Sequence, residues 1–121
     1  SVEDEKFSMT FKAAIKSPEL IDMLIFEEED KPIGFANLMI IFSVWAHGKA
    51  LVLDDLFIRE SFRGKGYGKK IMEFIEQVAE EKVCRRIQFQ SEETNPGAKK
   101  FYEAVGYTPI HMYFYVKYLN Q

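Results

Sequence analysis

Two long apolar runs, Ile33 to Trp45 and Ala50 to Ile58, are separated only by Ala46-His47-Gly48-Lys49. Both runs are rich in β-branched and aromatic residues, and a short break carrying a glycine joins antiparallel neighbours. The pair therefore predicts a β-hairpin of unusually long strands. A shorter run, Leu20 to Glu28, predicts a strand before it. Glu27 to Pro32 predicts the turn between them, because charges give way to a proline that cannot continue a ladder.

Past Ile58 the apolar period changes from two residues to that of a helix. Ile71, Phe74, Ile75 and Val78 fall at i, i+3, i+4 and i+7, with Glu73, Glu76, Gln77 and Glu80 outside the stripe, so a helix is predicted over 69–82. Arg85 to Ser91 predicts a buried strand. In Thr94 to Tyr107 a complete helix is written: Asn95 to cap it, Pro96 for its first turn, a stripe of Ala98, Phe101, Tyr102 and Val105, and Gly106 to stop it. Phe7, Phe11, Ala14 and Ile15 predict an opening amphipathic helix, ended by Ser17-Pro18. Tyr107 to Leu119, aromatic and β-branched, predicts one or two terminal strands. The order α, three β, α, β, α, β implies a mixed sheet with helices against its faces, in the α/β (α+β) class.

With 121 residues, a single domain spanning 1–121 is expected, and 47% hydrophobic residues suffice for a core without staples. A net charge of −3 removes general affinity for nucleic acid. Cys84 is the single cysteine, so no intrachain disulfide can form, which fits a reducing, cytoplasmic setting. No apolar run reaches the ~18 residues of a membrane helix, and the polar start, SVEDEKF, reads as no leader. His47 and His111 have no carboxylate or cysteine at ligand spacing, so no metal site is expected.

Arg59 to Lys70, RESFRGKGYGKK, joins the last hairpin strand to the helix. Gly64 to Lys69 comes near the Walker A pattern but is one residue short between its glycines, and Lys70 stands where a hydroxyl should hold magnesium. Against the dinucleotide fingerprint, Gly64 and Gly66 fit while Lys69 takes the third glycine's place. What survives is more general. Glycines let a backbone approach a ligand with its N–H groups inward, a helix N-terminus adds partial positive charge, and Arg63, Lys65, Lys69 and Lys70 surround it. Such a loop suits a pyrophosphate; a solvated turn with incidental lysines is the plain alternative.

The wider stretch LDDLFIRESFRGKGYGKKIMEFI resembles the central acetyl-CoA motif of the GNAT superfamily of N-acetyltransferases, with Arg63-Gly64-Lys65-Gly66-Tyr67-Gly68 as its Arg-x-x-Gly-x-Gly core. NPGAKKFYEAVGY resembles the family's second motif, and the likeness covers roughly residues 20 to 110. The hairpin and the strand before the loop are similar to the diamine (spermidine/spermine) acetyltransferase branch. The resemblance implies a GNAT-like mixed central sheet and acetyl-CoA as cosubstrate. The backbone N–H groups from Arg63 to Lys69, including Tyr67, would hold the pyrophosphate. Leu56, Phe57 and Ile58 would pair with the pantetheine arm as an added strand, and one N–H there would face the thioester carbonyl. Asn95 and Tyr102 would take the cofactor-binding and acid positions. Asp54 falls where the diamine branch has a glutamate, the candidate base. Alternation puts Asp54 and Asp55 on opposite faces of a strand, so at most one enters a cleft unless a bulge intervenes. Trp45 would line an acceptor slot or pack the hairpin, and Asp55 joins it among the substrate-side candidates.

The implied reaction asks for these residue types on chemical grounds. A primary ammonium has a pKa near ~10.4, so near neutral pH about one molecule in a thousand can attack a thioester. A carboxylate, directly or through water, must take its proton, and a phenol can protonate the departing thiolate. The expected function is acetyl transfer to a primary amine, a polyamine or similar small cation, by direct attack in a ternary complex. The alternative is a non-catalytic acyl-CoA-binding or interaction module. The resemblance implies a strand and a helix ahead of the Phe7–Ile15 helix; the chain is expected to lack both, by truncation, by deletion or as a variant completed by a partner subunit, and a homodimer covering the exposed edge is expected.

Overall fold

A computed structural model describes residues 22–91 and 96–120. The helix predicted around Phe7, Phe11 and Ile15, and the capping residue Asn95, lie outside them. The chain divides into two compact units, 1–90 and 91–121. The first contains β1 (Asp22–Glu28), β2 (Lys31–Ser43), β3 (Gly48–Ile58), a 3-10 turn (Glu60–Phe62), α1 (Tyr67–Glu81) and β4 (Arg86–Gln88). The second contains α2 (Pro96–Ala104).

The four strands form one sheet in the order β1-β2-β3-β4. The first two pairings are antiparallel, and β4 returns parallel to β3 after α1. Leu38 lies opposite Leu53, and Ile40 opposite Leu51, which gives β2 and β3 one shared apolar face. The largest fully buried side chains are Leu38 and Leu51 of the sheet and Met72 and Ile75 of α1. Each such burial removes apolar area worth about 1.5–3 kcal/mol from water. This helix-on-sheet layer fixes where β3 ends and α1 begins, and so positions everything between them.

Several details depart from the sequence expectation. The stripe of α1 is turned toward Met72 and Ala79; Ile71 and Ile75 are buried as expected, but Phe74 is exposed and meets the Phe26 ring edge-on at 6.0 Å. Pro32 lies inside β2, near its start, opposite Glu27 where the β1–β2 register shifts. A bulge needs no N–H from that position, so proline is accepted. The β1–β2 turn is only Glu29-Asp30, both left-handed at φ 50 and 64, the form a two-residue hairpin demands. Trp45 is not in a strand: β2 stops at Ser43, whose Oγ accepts the Ala46 N–H at 3.3 Å, and Val44 to His47 make the turn. The 85–91 strand is reduced to the three residues of β4, half-exposed rather than buried.

The largest departure is at the carboxy terminus. Residues 107–120 carry no helix or strand, although the pattern predicted one or two strands. A strand exists only through a ladder, and among the described residues this segment has none.

Candidate active site

The loop between β3 and α1 is held by its own backbone. Arg59 N–H donates to the Ile33 carbonyl at 2.7 Å, Phe62 N–H to Arg59 at 2.8 Å, and Arg63 N–H to Glu60 at 3.2 Å. Arg63 folds back on the strand it follows: its Nε donates to the Ile58 carbonyl at 2.8 Å, and its guanidinium lies 5.6 Å from the centre of the Phe57 ring. Phe62 meets the Tyr67 ring edge-on at 5.7 Å, tying the turn to the first turn of α1.

Gly64 and Gly66 are left-handed, at φ 73 and 86, and a Cβ on either would meet nothing within 4 Å. The glycines are required by conformation, not by crowding, and they leave open space over the loop. Gly66 caps α1 with no side-chain hydrogen bond, and the first turn holds no acidic residue. The first N–H groups of a helix have no intrahelical acceptor, so Tyr67, Gly68 and Lys69 present donors without a capping side chain. Lys65, Lys69 and Lys70 are exposed around them. Gly68 is helical, so its place in the motif does not rest on a special backbone angle.

The adjoining strand edge is also open. On its β4 side, β3 has ladder partners only at Ala50, Leu51 and Val52 among the described residues. Leu53 to Ile58 therefore run past the end of β4 without a strand on that side. Leu56 and Ile58 are half-buried, Phe57 is exposed, and Phe57 lines a shallow open groove with Arg59, Glu60 and Ser61. Gly34 lies opposite Ile58, and a Cβ there would run into the Phe57 carbonyl oxygen. Only glycine lets β2 approach the root of the loop this closely.

The two carboxylates are separated by a feature the alternation rule could not supply. Asn37 pairs with Asp55 and Leu38 with Leu53, leaving Asp54 as the extra residue of a β-bulge. Asp54 and Asp55 are both exposed. Beside them Asn37 is 8% exposed, and its Oδ1 has no hydrogen-bond partner among the described residues. The sequence reading missed Asn37; a lone amide in an apolar strand, opposite paired acids, was the available signal. Trp45 is 86% exposed on the hairpin turn, so it does not pack the hairpin.

In the second unit, α2 starts at Pro96 and half-buries Ala98, Phe101 and Tyr102, with Val105 half-buried just beyond it, the predicted stripe. Its end is a complete Schellman motif: Gly106, at φ 101, donates to the Glu103 carbonyl at 3.1 Å, and Tyr107 N–H donates to Tyr102 at 2.9 Å. The Tyr102 ring packs against Phe101 and Tyr107 at 5.2 and 6.4 Å. Asn95 lies outside the described residues.

The chain is similar to known proteins over most of its length. The family model described as Acetyltransferase (GNAT) family matches residues 2–107. The thialysine N-epsilon-acetyltransferase of Bos taurus is 28% identical over 74 residues, 61% of this chain and 43% of that protein. The uncharacterized N-acetyltransferase YhfO of Bacillus subtilis is 31% identical over 96 residues, 79% of this chain and 64% of that protein. The chain thus spans 43% to 64% of the length of these two relatives. Among solved structures, the aminoglycoside N-acetyltransferase AAC(6')-Iy in complex with CoA shares the fold, with a TM-score of 0.73 at 22% identity, over 95% of this chain and 92% of that one.

Proposed function

The chain belongs to the acetyltransferase (GNAT) family, and from that premise we propose that it transfers the acetyl group of acetyl-CoA to a primary amine. The observation that carries this reading is the loop. A left-handed glycine pair opens onto an uncapped helix start, with exposed lysines around it and an unpaired strand edge leading into it. Free N–H groups and cations match a pyrophosphate, and an open strand edge matches an amide-bearing arm. Each N–H to a charged oxygen contributes about 1.5–3 kcal/mol. Arg63 to Lys69 hold the diphosphate, and Leu56 to Ile58 align the arm.

The amine is a small cation with a primary amino group, of diamine or lysine-like character. Support comes from the hairpin's likeness to the diamine branch and from the thialysine-acetylating relative, whose name specifies an ε-amine. Asp54, exposed at its bulge, takes the ammonium proton directly or through water. The freed nitrogen then bonds to the acetyl carbon, the C–S bond breaks, Tyr102 gives its proton to the sulfur, and the second proton shed by the nitrogen restores the Tyr102 phenol through solvent. The net reaction turns an ammonium and a thioester into an amide, a thiol and one released proton. Asn95 belongs to the cofactor side, and Asp55 to the cation's surroundings. The single cysteine supports a cytoplasmic setting.

A thiol-release screen at fixed acetyl-CoA tests this reading across polyamines, amino acids, aminoglycosides and peptides. Turnover is expected with a small primary amine, with kcat/KM rising with pH as the ammonium deprotonates. Acetyl-CoA binding with no thiol released by any amine would instead mark a non-catalytic binding module.

A further inference from the structure

We propose that Asn37 determines which cation the acceptor site takes: its Oδ1, side by side with the Asp55 carboxylate, accepts an N–H of the amine. The inference rests on the acetyl-transfer reading for the amine's role, but the binding it describes is measurable without turnover. It starts from a buried group that the proposed reaction leaves unused. Among the described residues Asn37 is the one buried polar side chain, and its Oδ1 has no hydrogen-bond partner there. A buried acceptor without a donor is costly, so such groups are rare in native proteins.

The register shows what is missing. Leu38 pairs with Leu53 on the face that α1 covers, the face where Phe26, opposite Gly34, meets Phe74. Strict alternation would give Asp55 that same face. The extra residue at Asp54 turns Asp55 over, and it pairs with Asn37 on the other face. The Phe35 and Phe57 rings, 5.7 Å apart, form the next rung of that face. Along β2 the neighbours of Asn37 on it are Phe35 and Met39, and across the β1 ladder Met23 lies opposite. None of these three side chains has a donor to offer. The fourth neighbour, Asp55, is an anion and itself an acceptor. Two acceptors therefore stand side by side with no donor between them.

A cation that carries N–H satisfies both. An alkylammonium has charge and donors; a quaternary ammonium has charge alone, and an alcohol a donor alone. The apolar wall of Met23, Phe35 and Met39 suits a carbon chain and not a hydrated metal ion. Asp54 and Asp55 are exposed, so the cation enters from their side. The terminal torsion of asparagine is broad. A swing of the carboxamide thus brings Oδ1 to a donor held at Asp55 with the backbone unmoved. A hydrogen bond from a charged donor strengthens binding by about 10-fold or more.

The test is calorimetry on the full chain in the presence of CoA, with two probes. One is 1,3-diaminopropane; the other is its fully N-methylated bis-quaternary analogue, which has the same charge and no N–H. The wild type is expected to prefer the diamine by at least about 10-fold. Asn37→Leu keeps the branched shape and removes the acceptor. It should weaken the diamine about 10-fold and leave the quaternary analogue within about 2-fold. Its urea midpoint without amine should be unchanged or raised, because the unpaired acceptor is gone. In 15N-labelled wild type, the Asn37 side-chain amide signals should shift with the diamine and not with the analogue, a readout that needs no variant. Binding of neither probe, a wild-type preference below about 3-fold, or an Asn37 amide that ignores the diamine overturns the proposal. So does Asn37→Leu with a lowered midpoint and an unchanged preference, the behaviour of a purely structural residue. A diamine bound through Asn37 but never acetylated would sink the transfer reading alone. Acetylation with kcat/KM untouched by Asn37→Leu would sink this inference alone.

Discussion

The loop 59–70 and the terminal segment 107–120 invert the usual relation between composition and order. The loop is polar, carries three glycines and has little buried side-chain area, yet its path is determined. A 3-10 turn, two local backbone hydrogen bonds, one anchor from Arg59 to Ile33 of β2, two left-handed glycines and a guanidinium turned onto Ile58 and Phe57 fix it. The terminal segment is aromatic and β-branched, with the composition of a buried strand, yet it makes no ladder among the described residues. The difference is one of range. Apart from its anchor at Ile33, the turn closes its hydrogen bonds within a few residues, whereas a strand must find every partner elsewhere.

Gly66→Asp should break the loop most completely. It adds strain of about 1–2 kcal/mol at a left-handed position and sets a carboxylate where a diphosphate should sit. CoA affinity is expected to fall more than about 100-fold by calorimetry, while circular dichroism stays native. Unchanged affinity would place the diphosphate elsewhere. Tyr102→Phe comes next: kcat is expected to fall about 100-fold with acetyl-CoA affinity unchanged, as loss of a general acid requires. A matching loss in both would make Tyr102 a packing residue. Gly34→Ala attacks the loop at its root, since the new methyl meets the Phe57 carbonyl. Overpacking of this kind costs about 1–3 kcal/mol in urea unfolding. The smallest effect belongs to Glu29→Asn/Asp30→Gly, which puts residues that tolerate positive φ into the β1–β2 turn. It should raise stability by about 0.5–1 kcal/mol and leave CoA binding untouched.

What was legible in the sequence follows the same division by range. Both described helices, the hairpin and the Gly106 stop announced themselves through local period and local chemistry. The half-buried stripe of Ala98, Phe101, Tyr102 and Val105 matches its prediction residue for residue. The rest needed partners. Pro32 is tolerated because β1 shifts register opposite it, which β2 alone cannot reveal. The bulge at Asp54 exists only in the register of β2 against β3, so alternation could name the exception for the two acids but not say that it occurs. The α1 stripe turned toward Met72 and Ala79 because the sheet, not the helix, decides which flank is covered. Asn37 passed unnoticed because an acceptor without a partner among the described residues is a property of its surroundings.

The central claim is that the β3–α1 loop holds the diphosphate of acetyl-CoA. Calorimetric titration with CoA and with pantetheine, which lacks the diphosphate and nucleotide, tests it most directly. Two or more charge-assisted N–H bonds predict CoA binding tighter than pantetheine by at least about 100-fold. Equal affinity for the two would contradict the account.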